Sequence, residues 1–168
     1  ALARHFAEND ANVMCADIDE KALKKDLGES GDDSNVRYFA GDLREKLTLA
    51  NLLSATVDAF DRVDVLVNAS RQVATTDPLD MDDETVEKLL QQNLMTSLRL
   101  SQMVAKRMIK QDEEQDHEFA GTIINLSSIA ARLTQPELLA YSVSTAALEQ
   151  MTRSMAVALA KHRIRVNA

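Results

Sequence analysis

Ser128 and Tyr141 stand thirteen residues apart, the serine closing an apolar strand-like run and the tyrosine opening a long helical pattern. A hydroxyl at a strand end and a phenol on the next helix can both bond one carbonyl oxygen, which is the layout of a carbonyl/alcohol redox site. A phenol of free pKa about 10 exchanges protons poorly near neutrality unless a positive charge lowers it. A lysine one helical turn further on would share its face and supply that charge. Thr145 occupies that position instead. Losing a shift of ~2–3 pKa units corresponds to ~3–4 kcal/mol, or ~10²–10³ in rate at neutral pH. A serine hydrolase is a poor alternative, because Asn125-Leu126-Ser127-Ser128-Ile129 lacks the glycine-flanked nucleophile elbow.

Four further polar residues fall where chemistry is expected. Asp17 ends the first strand-like run, and an acid there can bond the adenosine ribose hydroxyls of a dinucleotide and repel a 2′-phosphate. Asp19 can cap the next helix by itself, which leaves Asp17 for the ribose. Asp42 follows the second strand-like run and could accept a bond from an adenine amino group, or cap the helix after it. Asn68 ends the third run, where it could bond loop backbone and face a cofactor, or serve as a turn asparagine. Asn93 falls mid-helix on the stripe Val86, Leu90, Leu94, Ser97, Ser101, Val104 and Met108. A buried amide there needs partners, and it can interrupt the helical ladder or hold a water.

The elements that must position these residues alternate in type. Strands are expected over 13–16, 36–40, 63–67 and 122–126, with a last one starting over 164–166; helices are expected over 20–27, 44–60, about 82–110 and 139–161. Such alternation of apolar strands with helices implies a parallel sheet covered on both faces. At 168 residues one domain over 1–168 is expected. The net charge of -8 argues against a nucleic-acid partner, and no apolar run approaches the ~18 residues of a membrane span. Cys15, the single cysteine, reads as a small buried hydrophobe and suits a reducing cytoplasm. No metal site is expected: His117 lies in a charged loop with no partner at ligand spacing. Gly28 and Gly31 read as loop punctuation rather than a phosphate cradle.

Taken in order, Ala16-Asp17-Ile18-Asp19, Gly41-Asp42-Leu43, Asp64-Val65-Leu66-Val67-Asn68-Ala69, Gln92-Asn93-Leu94, Thr122-Ile123-Ile124-Asn125-Leu126-Ser127-Ser128, Tyr141-Ser142-Val143-Ser144 and Ile164-Arg165-Val166-Asn167-Ala168 resemble the short-chain dehydrogenase/reductase family across nearly the whole chain. The resemblance implies a Rossmann-like, doubly wound α/β fold and NAD(P)-linked redox chemistry on a small alcohol or carbonyl substrate. It also implies a homodimer or homotetramer, expected here through the long helices 83–110 and 139–161. Position by position, Asn93, Ser128 and Tyr141 match three members of the family's catalytic tetrad. Asp17, Ile18, Asp42, Leu43, Asn68 and Ala69 match cofactor-binding positions, with Asp17 the acid that selects NAD over NADP.

Four departures accompany the match. Thr145 replaces the tetrad lysine, and Asn68-Ala69-Ser70-Arg71 replaces Asn-Asn-Ala-Gly, putting a bulky cation where the family has glycine. The glycine-rich loop with its first strand, and the family's last strand with its substrate segment, have no counterpart in these residues. The expected sheet is therefore incomplete, the chain reads as the middle of a longer protein, and tight dinucleotide binding by it alone is not expected. The first strand of the family lies between the strand of Asp17 and the strand of Asn68, so its absence leaves two edges open. Two functions follow: an NAD-preferring oxidoreductase of secondary alcohols and ketones, or a catalytically impaired relative kept as an oligomerisation scaffold.

Overall fold

The alternating pattern folds as alternating strands and helices in a computed structural model that describes residues 1–28, 34–80, 82–113, 118–133 and 135–168. In chain order these are α1 (Leu2–Glu8), β1 (Val13–Asp17), α2 (Glu20–Leu27), β2 (Val36–Ala40), α3 (Lys46–Phe60), β3 (Val65–Asn68), α4 (Asp83–Leu90), a π-helical segment (Gln91–Met95), α5 (Thr96–Asp112), β4 (Gly121–Asn125), 3₁₀ turns at Ile129–Ala131 and Pro136–Leu138, α6 (Leu139–Ala160) and β5 (Ile164–Asn167). Every strand pairing among the described residues is parallel, the α/β architecture that near-continuous apolar strands joined by helices require. Gly31 and His117 lie outside the described residues. No helix among the described residues is long and apolar enough to cross a membrane.

The chain forms two compact units, Ala1–Arg62 and Val63–Ala168. In the first, β1 and β2 pair from Val13 opposite Val36 to Asp17 opposite Ala40. Asp19 caps α2 as expected, its Oδ1 accepting the Ala22 N–H at 3.0 Å. Gly28 ends that helix at a φ of 79°, a conformation glycine adopts without steric cost. Helix α3 starts two residues later than the sequence pattern suggests, because Asp42 folds the chain ahead of it. The Asp42 Oδ1 accepts the Arg44 N–H at 3.0 Å, and the Arg44 guanidinium grips both carboxylate oxygens, the closest contact being 2.6 Å. Leu23, Leu43, Leu49 and Leu52 are buried here, each such leucine contributing roughly 1.5–3 kcal/mol relative to exposure.

In the second unit β3, β4 and β5 lie side by side in that order. Val65 faces Thr122 and Asn68 faces Asn125, while Gly121 faces Ile164. Strand β3 begins at Val65 rather than Val63 because a side chain has taken Val63. The Gln111 Oε1 accepts the Val63 N–H at 2.9 Å, and the Gln111 Nε2 donates to the Val63 carbonyl at 3.0 Å. Met108, Ile123, Leu148, Ile164 and Val166 are buried in the core. Met108 lies so close over Gly121 that a Cβ there would sit 2.8 Å from its Cε and 2.9 Å from its Cγ. Strand β1 pairs only with β2, and β3 only with β4, so each has one side without a strand partner among the described residues.

Candidate active site

The carboxyl ends of β3 and β4 are tied together by buried amides. Asn68 Nδ2 donates to Asn125 Oδ1 at 2.8 Å and to Ser101 Oγ at 3.0 Å. Asn125 Nδ2 donates to Thr152 Oγ1 at 2.9 Å, and that hydroxyl donates to the Leu148 carbonyl at 2.8 Å. The bonded chain runs from α5 across two strands to α6, with all four polar side chains buried. A buried donor or acceptor left without a partner costs about 1–3 kcal/mol, so these four groups specify one another. Asn68 thus spends both amide hydrogens on side chains of β4 and α5, not on loop backbone. Ala69, next to it, is exposed.

Asn93 is 3% exposed and lies inside the π-helical segment. Buried Leu89, Asn93, Ser97 and Ser101 recur at intervals of four. That interval exceeds the 3.6 residues of an α-turn, and the wider π turn absorbs the drift. It also explains why Leu89 is buried where the stripe read from sequence had Leu90. The Asn93 Oδ1 accepts the Gln72 N–H at 2.8 Å, and its Nδ2 donates to the Gln72 carbonyl at 2.9 Å. The same Nδ2 donates to Ser144 Oγ at 3.0 Å, and Ser144 donates to the Tyr141 carbonyl at 2.8 Å. The amide therefore staples the loop after β3 to the helix that carries the tyrosine.

Tyr141 is 3% exposed, its ring packed with Leu89, Ala130 and Ala140 and flanked by Ala74, Val86 and Leu138. Its hydroxyl makes no hydrogen bond to the described residues. Ser128 caps the turn Ile129–Ala131, its Oγ accepting the Ala130 N–H at 3.2 Å. Because Ala130 packs in the cluster around Tyr141, that turn carries the serine to the side of the protein where the phenol sits. Thr145, 2% exposed, turns its hydroxyl back on its own helix and donates to the carbonyls of Tyr141 and Ser142, both at 3.1 Å. It places neither charge nor free donor beside the phenol.

A polar rim, of which the sequence pattern marks only Arg71, adjoins the serines. Ser127 Oγ donates to Glu149 Oε1 at 3.1 Å, and Arg71 Nη1 donates to the Ser127 carbonyl at 3.1 Å. Arg132 and Arg153 approach Glu149 Oε2 at 3.3 and 3.6 Å. Burial pushes the Glu149 carboxyl up, but the Ser127 hydroxyl and the two guanidinium groups outweigh it and hold the carboxyl below its ordinary value. Tyr141, Thr145 and Glu149 recur every four residues on α6, so helical spacing alone could have linked the glutamate to the site. Asn125, in register with Asn68, and Ser101, on the stripe of Asn93, were the other legible signals; Gln72, Ser144 and Thr152 carried none.

In the first unit Asp17 is exposed at the end of β1. Its Oδ1 accepts the Asp19 N–H at 3.0 Å, and its second oxygen makes no hydrogen bond to the described residues. Ile18 beside it is 65% exposed, whereas Leu43 is a core residue. Asp42 is taken up by Arg44, whose guanidinium holds its carboxyl below the usual range.

A family model described as enoyl-(acyl carrier protein) reductase matches residues 1–168. The chain belongs to the short-chain dehydrogenase/reductase family. An uncharacterised oxidoreductase of Thermotoga maritima is 32% identical over 169 residues, covering 99% of this chain and 62% of that protein. An NAD-dependent glycerol dehydrogenase of Listeria innocua is 26% identical, covering 100% of this chain and 63% of that protein. The solved structure of a Caenorhabditis elegans short-chain dehydrogenase/reductase of unknown function, with cofactor, aligns at a TM-score of 0.84 with 30% identity, over 98% of this chain and 61% of that one. The chain thus spans less than two thirds of the length of each of these relatives. The cofactor of the family is a nicotinamide dinucleotide, and two features here suit one. Asp17 keeps one carboxylate oxygen unbonded among the described residues, as a ribose diol would require, and the Tyr141 hydroxyl is likewise bonded to none of them.

Proposed function

We propose that this chain belongs to an NAD-preferring oxidoreductase of secondary alcohols and ketones, with residues 1–168 contributing one Rossmann-like dinucleotide-binding domain. The observation that carries the reading is the Tyr141 phenol. It is the single polar side chain in an apolar cluster, its hydroxyl is bonded to no described residue, and the Ser128 turn packs beside it. That hydroxyl is left to bond a substrate oxygen. Ser128 holds that oxygen, and Tyr141 takes its proton during oxidation and returns it during reduction. Asn93 fixes the geometry by stapling the Gln72 loop to α6, with the open lone pair of its Oδ1 available to a water relay. When bound, the nicotinamide supplies or accepts the hydride. Asp17 would hold the adenosine ribose and disfavour a 2′-phosphate, with exposed Ile18 beside it, while Leu43 in the core and Asp42 clasped by Arg44 support the fold of that unit.

Exposed Val143 and Val157 on α6 support assembly of a homodimer or homotetramer through helices 83–110 and 139–161 in the cytoplasm. Thr145 supports the second reading, a catalytically impaired scaffold, since its hydroxyl is spent on helix carbonyls. NADH absorbance followed against a panel of ketones separates the two. Thr145→Lys restores a cation on the tyrosine's face, and a gain of ~10²–10³ in turnover is expected. No turnover by either form would leave the scaffold.

A further inference from the structure

The serines at the end of β4 are met by more positive charge than the local acid cancels. Arg71 Nη1 donates to the Ser127 carbonyl at 3.1 Å, and that carbonyl belongs to the peptide group joining Ser127 to Ser128. The Ser127 Oγ donates to Glu149 Oε1 at 3.1 Å. Arg132 and Arg153 both lean on the remaining oxygen of that carboxylate, at 3.3 and 3.6 Å. Three guanidinium groups thus gather around one carboxylate, in a chain whose net charge is -8. The carboxylate is the inner member, 14% exposed, while Arg132 and Arg153 stand 75% and 60% exposed. A solute meets the cations first.

The three arginines differ in what they have left to offer. Arg153 is spent, since its Nε and Nη2 donate to Gln150 Oε1 at 3.1 and 3.0 Å besides the ion pair. Arg132 places Nε and Nη2 on one oxygen of Glu149, at 3.4 and 3.3 Å. Arg71 pairs with no carboxylate among the described residues, and it gives one of its five N–H groups to a neutral carbonyl. Its side chain is exposed, yet its backbone is held on both sides. Ser70 Oγ accepts from Gln92 Nε2 at 2.8 Å, and Gln72 is bonded through both backbone groups to Asn93, at 2.8 and 2.9 Å. A planar fork on a fixed stretch of chain suits carboxylate and phosphate, because little ordering remains to be done on binding.

We propose that Arg71, flanked by Arg132, forms an oxyanion site beside Ser128 that takes the carboxylate or phosphate of an acidic carbonyl substrate. The assignment to substrate rests on the reading of Ser128 as the holder of the reacting oxygen, yet the site itself is tested without cofactor or turnover. Inorganic phosphate, titrated into the chain at constant ionic strength made up with sodium chloride, should raise the melting temperature in a saturable way. Arg71→Gln should weaken that binding ~3–10-fold, the scale of one charge-assisted bond at an exposed site. Arg71→Lys keeps the charge without the fork and should fall between. Lys21→Gln makes the same charge change at an exposed position of α2, in the other unit, and should bind phosphate as the wild type does. Arg71 is exposed, so its variants should fold, and circular dichroism checks that they do. No stabilisation by phosphate beyond that by chloride, or equal losses in Arg71→Gln and Lys21→Gln, overturns the proposal. In turnover a 2-oxo acid should be preferred to its amide, and Arg71→Gln should erase the preference. Phosphate binding through Arg71 with no turnover of any ketone would sink the oxidoreductase reading and leave the oxyanion site standing. Turnover that does not distinguish the acid from the amide would overturn the substrate assignment and leave the oxidoreductase reading intact.

Discussion

Along one face of α6 the residues Tyr141, Thr145 and Glu149 read phenol, neutral hydroxyl, carboxylate. The sequence told of the missing charge at 145. It did not tell where the threonine hydroxyl goes, because a bond to a helix carbonyl is a rotamer choice made among buried neighbours. Asn68 was legible as a polar group at a strand's carboxyl end, but its partners lie 33 and 57 residues away, and no local pattern marks such distant pairs. Glu149 gives a prediction at this scale. Its carboxyl is held below its ordinary value of 4.5, so its contribution to stability is present above that pH and is lost as pH falls through the lower folded value. The melting-point advantage of the wild-type chain over Glu149→Gln should therefore be full near neutrality and shrink in acid below about 4.5. An advantage that persists unchanged into acid would show that the carboxylate does not bridge Ser127 and the arginines.

Elements were read more reliably than their ends. Helix α2 and strand β2 fall where the sequence periodicity puts them, because capping by Asp19 and apolar runs are local signals. The start of α3 moved because of a side-chain clasp between Asp42 and Arg44, and the start of β3 moved because of Gln111. The long helix before β4 was read as one α-helix with an asparagine able to disturb it. It is two α-helices around a π turn, and the spacing of four between buried residues was the available sign. Packing between elements supplies a test at Gly121, where β4 passes under Met108. Gly121→Ala should lower stability by about 1–3 kcal/mol through overpacking, read as a fall in the denaturant midpoint. Met108→Ala added to it should lose less than the sum of the two single changes, since both act in one space. Strict additivity would mean the methionine does not close on the glycine.

At the scale of the whole molecule, each unit carries a parallel sheet whose two outer strands, β1 and β2 in the first and β3 and β5 in the second, have no further strand partner among the described residues. Exposed strand edges template association. The 168-residue chain alone should therefore scatter more light per unit mass as its concentration rises, and flat scattering would mean that these edges are covered. Family membership was readable from many short motifs in order. The substrate was not, because the residues between Ile129 and Leu139 name no chemistry and the chain spans 62–63% of its relatives from Thermotoga and Listeria. The Gln111 clasp bears on how such a chain transmits force. Val63 is the first residue of the second unit, and both of its backbone groups are moored to α5. A twist or pull arriving from the preceding residues reaches that mooring before it reaches β3. The alignment of Asn68 with Asn125 is thereby anchored within the second unit itself.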